Sequence, residues 1–183
     1  MDRDEIYRSS GFAEQRIVRW VERFLAEAEE RLQGIPQAPV GCIVNTEPLP
    51  SHFLLVHTGA DGKATYGSFV DWERPIVGDP AQDVAFFASP AVTFWDSEYM
   101  MDPDEAAAFV ETSWNAVDGR LSRDGFDKRL RAWRSLTALR SITWCCRAKA
   151  NLARDPHAHV TEKARRKMPV YLSDEFMEHL ARA

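Results

Sequence analysis

The chain of 183 residues is long enough for one domain with a hydrophobic core, and its 45% hydrophobic and 28% charged residues are typical of a globular protein. Its formal net charge of −5 argues against general nucleic-acid binding, which requires a basic surface. No apolar run reaches membrane-spanning length, the N-terminus lacks the features of a signal peptide, and the three cysteines form no disulfide framework. A cytoplasmic protein with reduced thiols, without a membrane or nucleic-acid partner, is therefore expected.

The first 39 residues predict one leading helix. Ser9 or Ser10 can cap its N-terminus, and Gly34 and Pro36 follow its C-terminus. The apolar residues between them recur at helical spacing. Residues 40–75 predict β structure instead, because "VGCIV" is typical of a short strand and "HFLLVHT" and "ATYGSFVDW" flank the turn sequence "GADGK". The expected β element is a hairpin.

Residues 76–183 predict a helical subdomain. Asp79 and Asp102 each precede a proline, which combines an N-cap with a proline at the first helical position. A long helix is predicted from roughly Phe126 to Ala153, and Ser173 is expected to cap a last short helix. The sequence therefore predicts a mainly α fold with a small β-hairpin, an α+β class, in a single domain.

The segment "VDWERPIVGDPAQDVA" carries the most specific pattern in the chain. It resembles the aminoglycoside phosphotransferase and choline kinase family, small-molecule kinases with a protein-kinase-like fold. In that family a hairpin ends on Ile-Asp-Trp/Phe-Glu/Gly and Gly-Asp-Pro-x-x-Asp-Leu-Ala follows. The resemblance places Asp71 on the metal-binding aspartate, and Asp79 and Asp83 on the two aspartates that follow. It implies Mg²⁺ and ATP as cofactors of an active protein, with no cofactor needed for folding.

Each of these aspartates also has a simpler interpretation. In this interpretation Asp71 simply caps the exit of the hairpin, as aspartate commonly does. Helix capping accounts for Asp79 without a catalytic role. Asp83 is expected to hydrogen-bond the backbone of the neighbouring loop.

The loop before the hairpin departs from the family pattern, which reads His-Gly-Asp-x-x-x-x-Asn. The alignment places Asn45 on the histidine, Thr46 on the glycine, Glu47 on the catalytic aspartate and His52 on the metal-binding asparagine. Glu47 can accept a proton, although its extra methylene group displaces the carboxylate. An imidazole nitrogen at position 52 suits zinc or copper better than magnesium. The alternative is that Glu47 and His52 are solvated loop residues without a catalytic function.

The resemblance covers only the helical C-terminal lobe of the family fold. The segment before Asn45 contains no glycine-rich loop and no lysine, since Lys63 is the first lysine of the chain. A second polypeptide or a second copy is therefore expected to cover the place of the missing nucleotide lobe. Asp96 and Glu98, in an acidic stretch, are candidates for holding a cationic small-molecule substrate, although ordinary helix-start charge also accounts for them.

Two functions follow from these expectations. The first is an ATP-dependent phosphotransferase that acts on a hydroxyl group of a small molecule and is active only with a partner lobe. The second is a non-catalytic, pseudokinase-like binding or regulatory module.

Overall fold

The structure is a computed structural model that describes residues 7–38, 41–57 and 64–182, without the side chains of residues 56, 57 and 64–66. The fold is mainly helical with two small antiparallel sheets, which confirms the predicted fold class at this level. The described elements are, in chain order, α1 (Gln15–Leu32), β1 (Ile43–Val44), a 3₁₀ turn (Pro50–His52), β2 (Phe53–His57), β3 (Ala64–Phe69), β4 (Ile76–Val77), α2 (Pro80–Phe87), α3 (Pro90–Ser97), α4 (Pro103–Asn115), α5 (Phe126–Arg154), α6 (Glu162–Tyr171) and α7 (Asp174–Arg182).

The chain divides into two compact units. Pro36–Leu130 forms the first, here called the loop unit, and Met1–Ile35 with Arg131–Ala183 forms the second, here called the helical unit. The residues of α5 are divided between the two. Every residue that the sequence singles out for chemistry belongs to the loop unit.

The loop unit contains both sheets. β2 pairs with β3 in an antiparallel hairpin with Phe53 opposite Phe69, as predicted, while the "GADGK" turn lies outside the described residues. β1 pairs with β4, with Val44 opposite Ile76. The sequence indicates only the first of these short strands. Because β1 and β4 are antiparallel, the loop that leaves β1 lies beside the segment that leads from the hairpin into β4.

The N-termini of the helices show which of the predicted capping residues cap a helix. Asp79 accepts a hydrogen bond from the amide of Ala81, and Asp102 forms a capping box with Glu105, so both predicted N-caps are confirmed. The predicted start of the first helix is wrong, because α1 begins at Gln15 after the N-cap Glu14. Ser10 instead donates to the carbonyl of Tyr7 and accepts from the amide of Phe12, so its hydroxyl stabilises a turn.

The helical unit is built from amphipathic helices. The buried face of α1 includes Ile17, Val21 and Phe24, at the spacing that the sequence indicates. Ser173 accepts a hydrogen bond from the amide of Phe176 at the start of α7, so this predicted cap is also confirmed. No helix in the described part of the chain has the length and apolarity that crossing a membrane requires.

Candidate functional site

Asn45 joins the loop after β1 to the exit of the hairpin. Its side chain is 4% exposed, its Nδ2 donates to the carbonyl oxygen of Asp71 at 2.7 Å, and its Oδ1 accepts from the amide of Glu47 at 3.1 Å. The two bonds of the amide group add at most about 2.6 Å, so that the Asp71 carbonyl oxygen and the Glu47 nitrogen are no more than about 8.4 Å apart. A single buried side chain therefore brings together the backbones of the two acidic residues that the sequence singles out.

Asp83 holds the same loop from the first turn of α2. Its Oδ2 accepts from the amide of Asn45 at 2.6 Å, and its Oδ1 accepts from the amide of Thr46 at 2.8 Å. Burial raises the pKa of the Asp83 carboxyl above its ordinary value, while these two hydrogen bonds oppose the shift. Both carboxylate oxygens are engaged by backbone, so Asp83 positions the loop.

Thr46 and Asp71 have left-handed backbone conformations, with φ of 77° and 66°. This conformation is uncommon for any residue other than glycine, and for the β-branched Thr46 it costs about 1–3 kcal/mol, which surrounding contacts must offset. The surroundings are visible here, because Asp83 binds the amide of Thr46 and Asn45 binds the carbonyl of Asp71. These hydrogen bonds hold Thr46 and Asp71 in left-handed conformations, beside the exposed carboxylates of Glu47 and Asp71.

Asp79 is used within the fold of the loop unit. Its Oδ1 accepts from the amide of Ala81 at 3.1 Å, and its Oδ2 lies 3.0 Å from Nε of Arg129. Both side chains are buried, and Arg129 also donates to the carbonyl of Asp124 at 3.0 Å. Removal of either partner of such a buried ion pair destabilises the protein, because it leaves a buried charge without its partner. Arg129 has no recognisable signal in the sequence, because its partner lies far away along the chain.

His52 contacts the Asp71 carboxylate. Its Nε2 lies 3.1 Å from Oδ2 of Asp71, and its Nδ1 accepts from the amide of Leu49 at 3.5 Å. The His52 side chain is 15% exposed and that of Asp71 is 46% exposed. The 3₁₀ turn presents His52 to the hairpin exit, because the amide of Val70 binds the carbonyl of His52. The structure therefore places the His52 imidazole in contact with the Asp71 carboxylate.

The donor set fits a Mg²⁺ ion held by one carboxylate. Mg²⁺ takes one or two carboxylates and completes its shell with water and substrate phosphates, so the exposed Asp71 suits it. His52 does not fit as a second ligand, since a nitrogen donor is unsuited to this ion. Within the described residues, no three His, Cys, Asp or Glu side chains are grouped as a metal ion would require. Of the two metal ligands that the sequence predicts, the exposed carboxylate of Asp71 suits Mg²⁺ and the imidazole of His52 does not.

The hairpin exit is made rigid by aromatic contacts. The rings of Phe53 and Phe69 stack with centroids 4.6 Å apart, and Trp72 packs edge-on against Phe69 at 4.9 Å. Nε1 of Trp72 donates to the carbonyl of Phe69 at 3.0 Å. These contacts fix the chain on both sides of Asp71. Leu55 and Trp72 nevertheless remain 70% and 44% exposed, so the hairpin presents apolar surface.

The acidic stretch is engaged in local structure. Oδ2 of Asp96 accepts from the amide of Ser51 at 3.0 Å, which supports the 3₁₀ turn that carries His52. Glu98 ends α3 with a left-handed backbone. Tyr99 donates to Glu105, and this hydrogen bond raises the pKa of Tyr99 to about 12. The structure thus brings Asp96 to the loop, a contact that the sequence does not indicate.

Comparisons with known proteins identify no relative of this chain. No family model matches the chain, and neither the curated proteins nor the solved structures contain a match.

Proposed function

We propose that the chain carries the catalytic loop and the metal-binding aspartate of a small-molecule phosphotransferase similar to the aminoglycoside phosphotransferase and choline kinase family. The substrate is a hydroxyl group of a small molecule, and ATP is the phosphoryl donor. The Asn45 side chain is the observation that carries this proposal, because it connects the Glu47 and Asp71 segments directly. Phosphoryl transfer needs a carboxylate beside the attacking hydroxyl and another that holds a divalent ion near the phosphates.

Each residue of the loop has a distinct role in this proposal. Glu47 is exposed and accepts the proton of the attacking hydroxyl. Asp71 holds Mg²⁺, which when bound neutralises the charge of the phosphate oxygens. Asn45 and Asp83 position these two residues through backbone contacts, without touching the substrate.

Thr46 supports the assignment of the loop. The alignment places it on a glycine of the family pattern, and its φ of 77° is a conformation that glycine adopts without strain. A threonine in this conformation indicates that the backbone path is required even though the residue does not favour it.

The groups that hold the nucleotide phosphates have to come from outside these 183 residues. Residues 1–62 contain no lysine, and such a lysine supplies much of the fixed positive charge in this kind of site. We propose that a second polypeptide supplies them, and that this polypeptide or a second copy covers the exposed apolar hairpin. The isolated chain should bind Mg-ATP with a dissociation constant weaker than about 1 mM by calorimetry. A micromolar constant that is lost in Asp71→Ala would contradict this requirement.

A non-catalytic binding or regulatory module is the second candidate. The observation that favours it is the contact between His52 and Asp71, because it occupies an oxygen of the carboxylate that would hold the ion. In this case the strained loop would serve a binding surface, and no phosphoryl transfer would take place.

A transfer assay separates the two candidates. The purified chain is mixed with a glycine-rich β lobe that contains the phosphate-binding lysine, and transfer from γ-labelled ATP to choline and to aminoglycosides is measured. We expect Asp71→Asn and Glu47→Gln each to reduce transfer by about 100-fold or more. Glu73→Gln is the matched control, because Glu73 is an exposed acid two positions from Asp71 and should leave the rate unchanged. Transfer that survives Asp71→Asn would contradict the proposal, and a complete lack of transfer would favour the binding module.

A further inference from the structure

The hydrogen bonds of His52 define which of its nitrogens carries the proton. A neutral imidazole has one donor and one acceptor nitrogen. Nδ1 accepts from the amide of Leu49 at 3.5 Å, and with this acceptor a neutral His52 has its proton on Nε2, the nitrogen that lies 3.1 Å from Oδ2 of Asp71. The opposite tautomer would place two donors against each other at Leu49. In this tautomer Nε2 can donate to the carboxylate and offers no lone pair to a metal ion there.

We propose that His52 is an internal substitute for a metal ion at Asp71. It donates to Oδ2, holds the carboxylate and the strained backbone of Asp71 in place without an ion, and competes with any divalent cation for that oxygen. This deepens the proposed function, on which it rests for the assignment of Asp71 as the residue that holds the ion.

The surroundings of the pair agree with this role. The turn that carries His52 is fixed at both ends, because Asp96 accepts from the amide of Ser51 and the carbonyl of His52 binds the amide of Val70. Asp71 is fixed through its carbonyl by Asn45. Among the described residues, the ion-pair contact of the Asp71 carboxylate is with His52. His52 is thus the one described group that can replace the charge-stabilising effect of an ion at this residue.

Two substitutions of His52 distinguish a competitor from a ligand. The amide nitrogen of glutamine can reach the place of Nε2, so His52→Gln retains a donor to Asp71. The shorter asparagine reaches only the place of Nδ1, so His52→Asn removes the donor. A competitor predicts that only His52→Asn strengthens cation binding, whereas a metal ligand predicts that both substitutions weaken it.

The test is a Mn²⁺ titration of the isolated full chain, followed by electron paramagnetic resonance of the free ion. We expect His52→Asn to bind Mn²⁺ about tenfold more tightly than the wild-type chain, since a hydrogen bond to a charged group no longer competes. His52→Gln should remain within about twofold of wild type, and the gain should vanish in His52→Asn combined with Asp71→Asn. His157→Asn, at an exposed histidine of the helical unit, is the control for general effects.

An unchanged or weaker affinity in His52→Asn would overturn the inference. Circular dichroism of each variant verifies folding, and if His52→Asn does not fold, tighter binding in His52→Gln overturns the inference by itself. The experiment uses neither ATP nor a substrate. A failure of phosphoryl transfer would therefore leave this result intact, and an unchanged affinity would not affect the transfer assay.

Discussion

Asp83 and Asp71 both serve the loop after β1, yet they do so in opposite ways. Asp83 is half-buried, its backbone belongs to an ordinary helix, and both of its oxygens accept backbone amides of the loop. Asp71 is exposed, its backbone is left-handed, and its carboxylate points to a single histidine. Both oxygens of Asp83 are therefore occupied by backbone amides. The Asp71 carboxylate is exposed, so it remains accessible to a cation.

This difference separates a residue that positions the site from one that acts in it. A half-buried carboxylate whose two oxygens each accept a backbone amide is already used to hold the loop. A strained, exposed carboxylate has the opposite character, because strain at functional residues is maintained by surrounding contacts. The comparison therefore predicts that changes at Asp83 affect stability and that changes at Asp71 affect cation binding and activity.

Replacement of Asp83 by asparagine should have the largest effect on stability. Asparagine can accept only one of the two amides and turns a donor toward the other, so we expect a loss of about 1–3 kcal/mol in the free energy of unfolding. Asp104→Asn is the matched control, because Asp104 also lies in the first turn of a helix but is exposed. The control should lose no more than about 1 kcal/mol. Urea denaturation measures both, and equal losses would remove the distinction between Asp83 and an ordinary helix-start acid.

Restoring the family pattern in the loop should raise activity. We expect Glu47→Asp combined with His52→Asn to increase turnover about tenfold or more when the nucleotide lobe is supplied, because the carboxylate moves to its expected place and Asp71 loses its competitor. The assay is the labelled-phosphate transfer described above. A large decrease would show that Glu47 and His52 perform a different chemistry and that the kinase interpretation of the loop is wrong.

Glycine at position 46 should stabilise the protein slightly. Relief of strain at φ of 77° exceeds the entropy that glycine loses on folding, so we expect Thr46→Gly to gain about 1 kcal/mol. Thr46→Ala keeps a Cβ atom and should show no such gain, which makes it the control. Thermal unfolding of the two variants measures the difference. If alanine stabilises as much as glycine, backbone strain at position 46 is not what distinguishes this loop.

The pH dependence of Asp83 should give the smallest effect. Burial raises its pKa in the folded protein above 3.8, so the folded state takes up this proton first as the pH falls. The contribution of this group to the free energy of unfolding is therefore fully present below the unfolded pKa and is lost as the pH rises through the folded pKa. The amide chemical shift of Thr46, followed by NMR, should titrate with a midpoint above 3.8. A midpoint at or below that value would mean that the hydrogen bonds outweigh burial.

The sequence predicts local structure well and tertiary contacts poorly in this chain. The Asp79 and Asp102 caps follow from short-range chemistry, so each is visible in the few residues around it. The sequence predicts Ser9 or Ser10 as the cap of α1, but α1 begins after Glu14 and the Ser10 hydroxyl has nearer backbone partners in a turn. The helix α6 continues through Pro169, although proline disfavours the interior of a helix.

The candidate site shows the same division. The motif around Asp71 is contiguous, so it can be recognised by resemblance. The Asn45 bridge, the contact of His52 with Asp71 and the Arg129 partner of Asp79 all join residues that are distant along the chain. The Asn45 bridge lies beside the pairing of β1 with β4, and two-residue strands leave almost no periodic signal.

The most direct test of the account is the place at which a divalent ion binds to the chain. Millimolar Mn²⁺ added to the isotopically labelled wild-type chain broadens NMR signals near the ion, even when binding is weak. We expect preferential broadening of the signals of Asp71, Asn45 and Glu47, and we expect this broadening to disappear in Asp71→Asn. Broadening centred on the acidic residues 102–105, or broadening near Glu47 that persists in Asp71→Asn, would contradict the claim that Glu47 and Asp71 flank one cation-binding site.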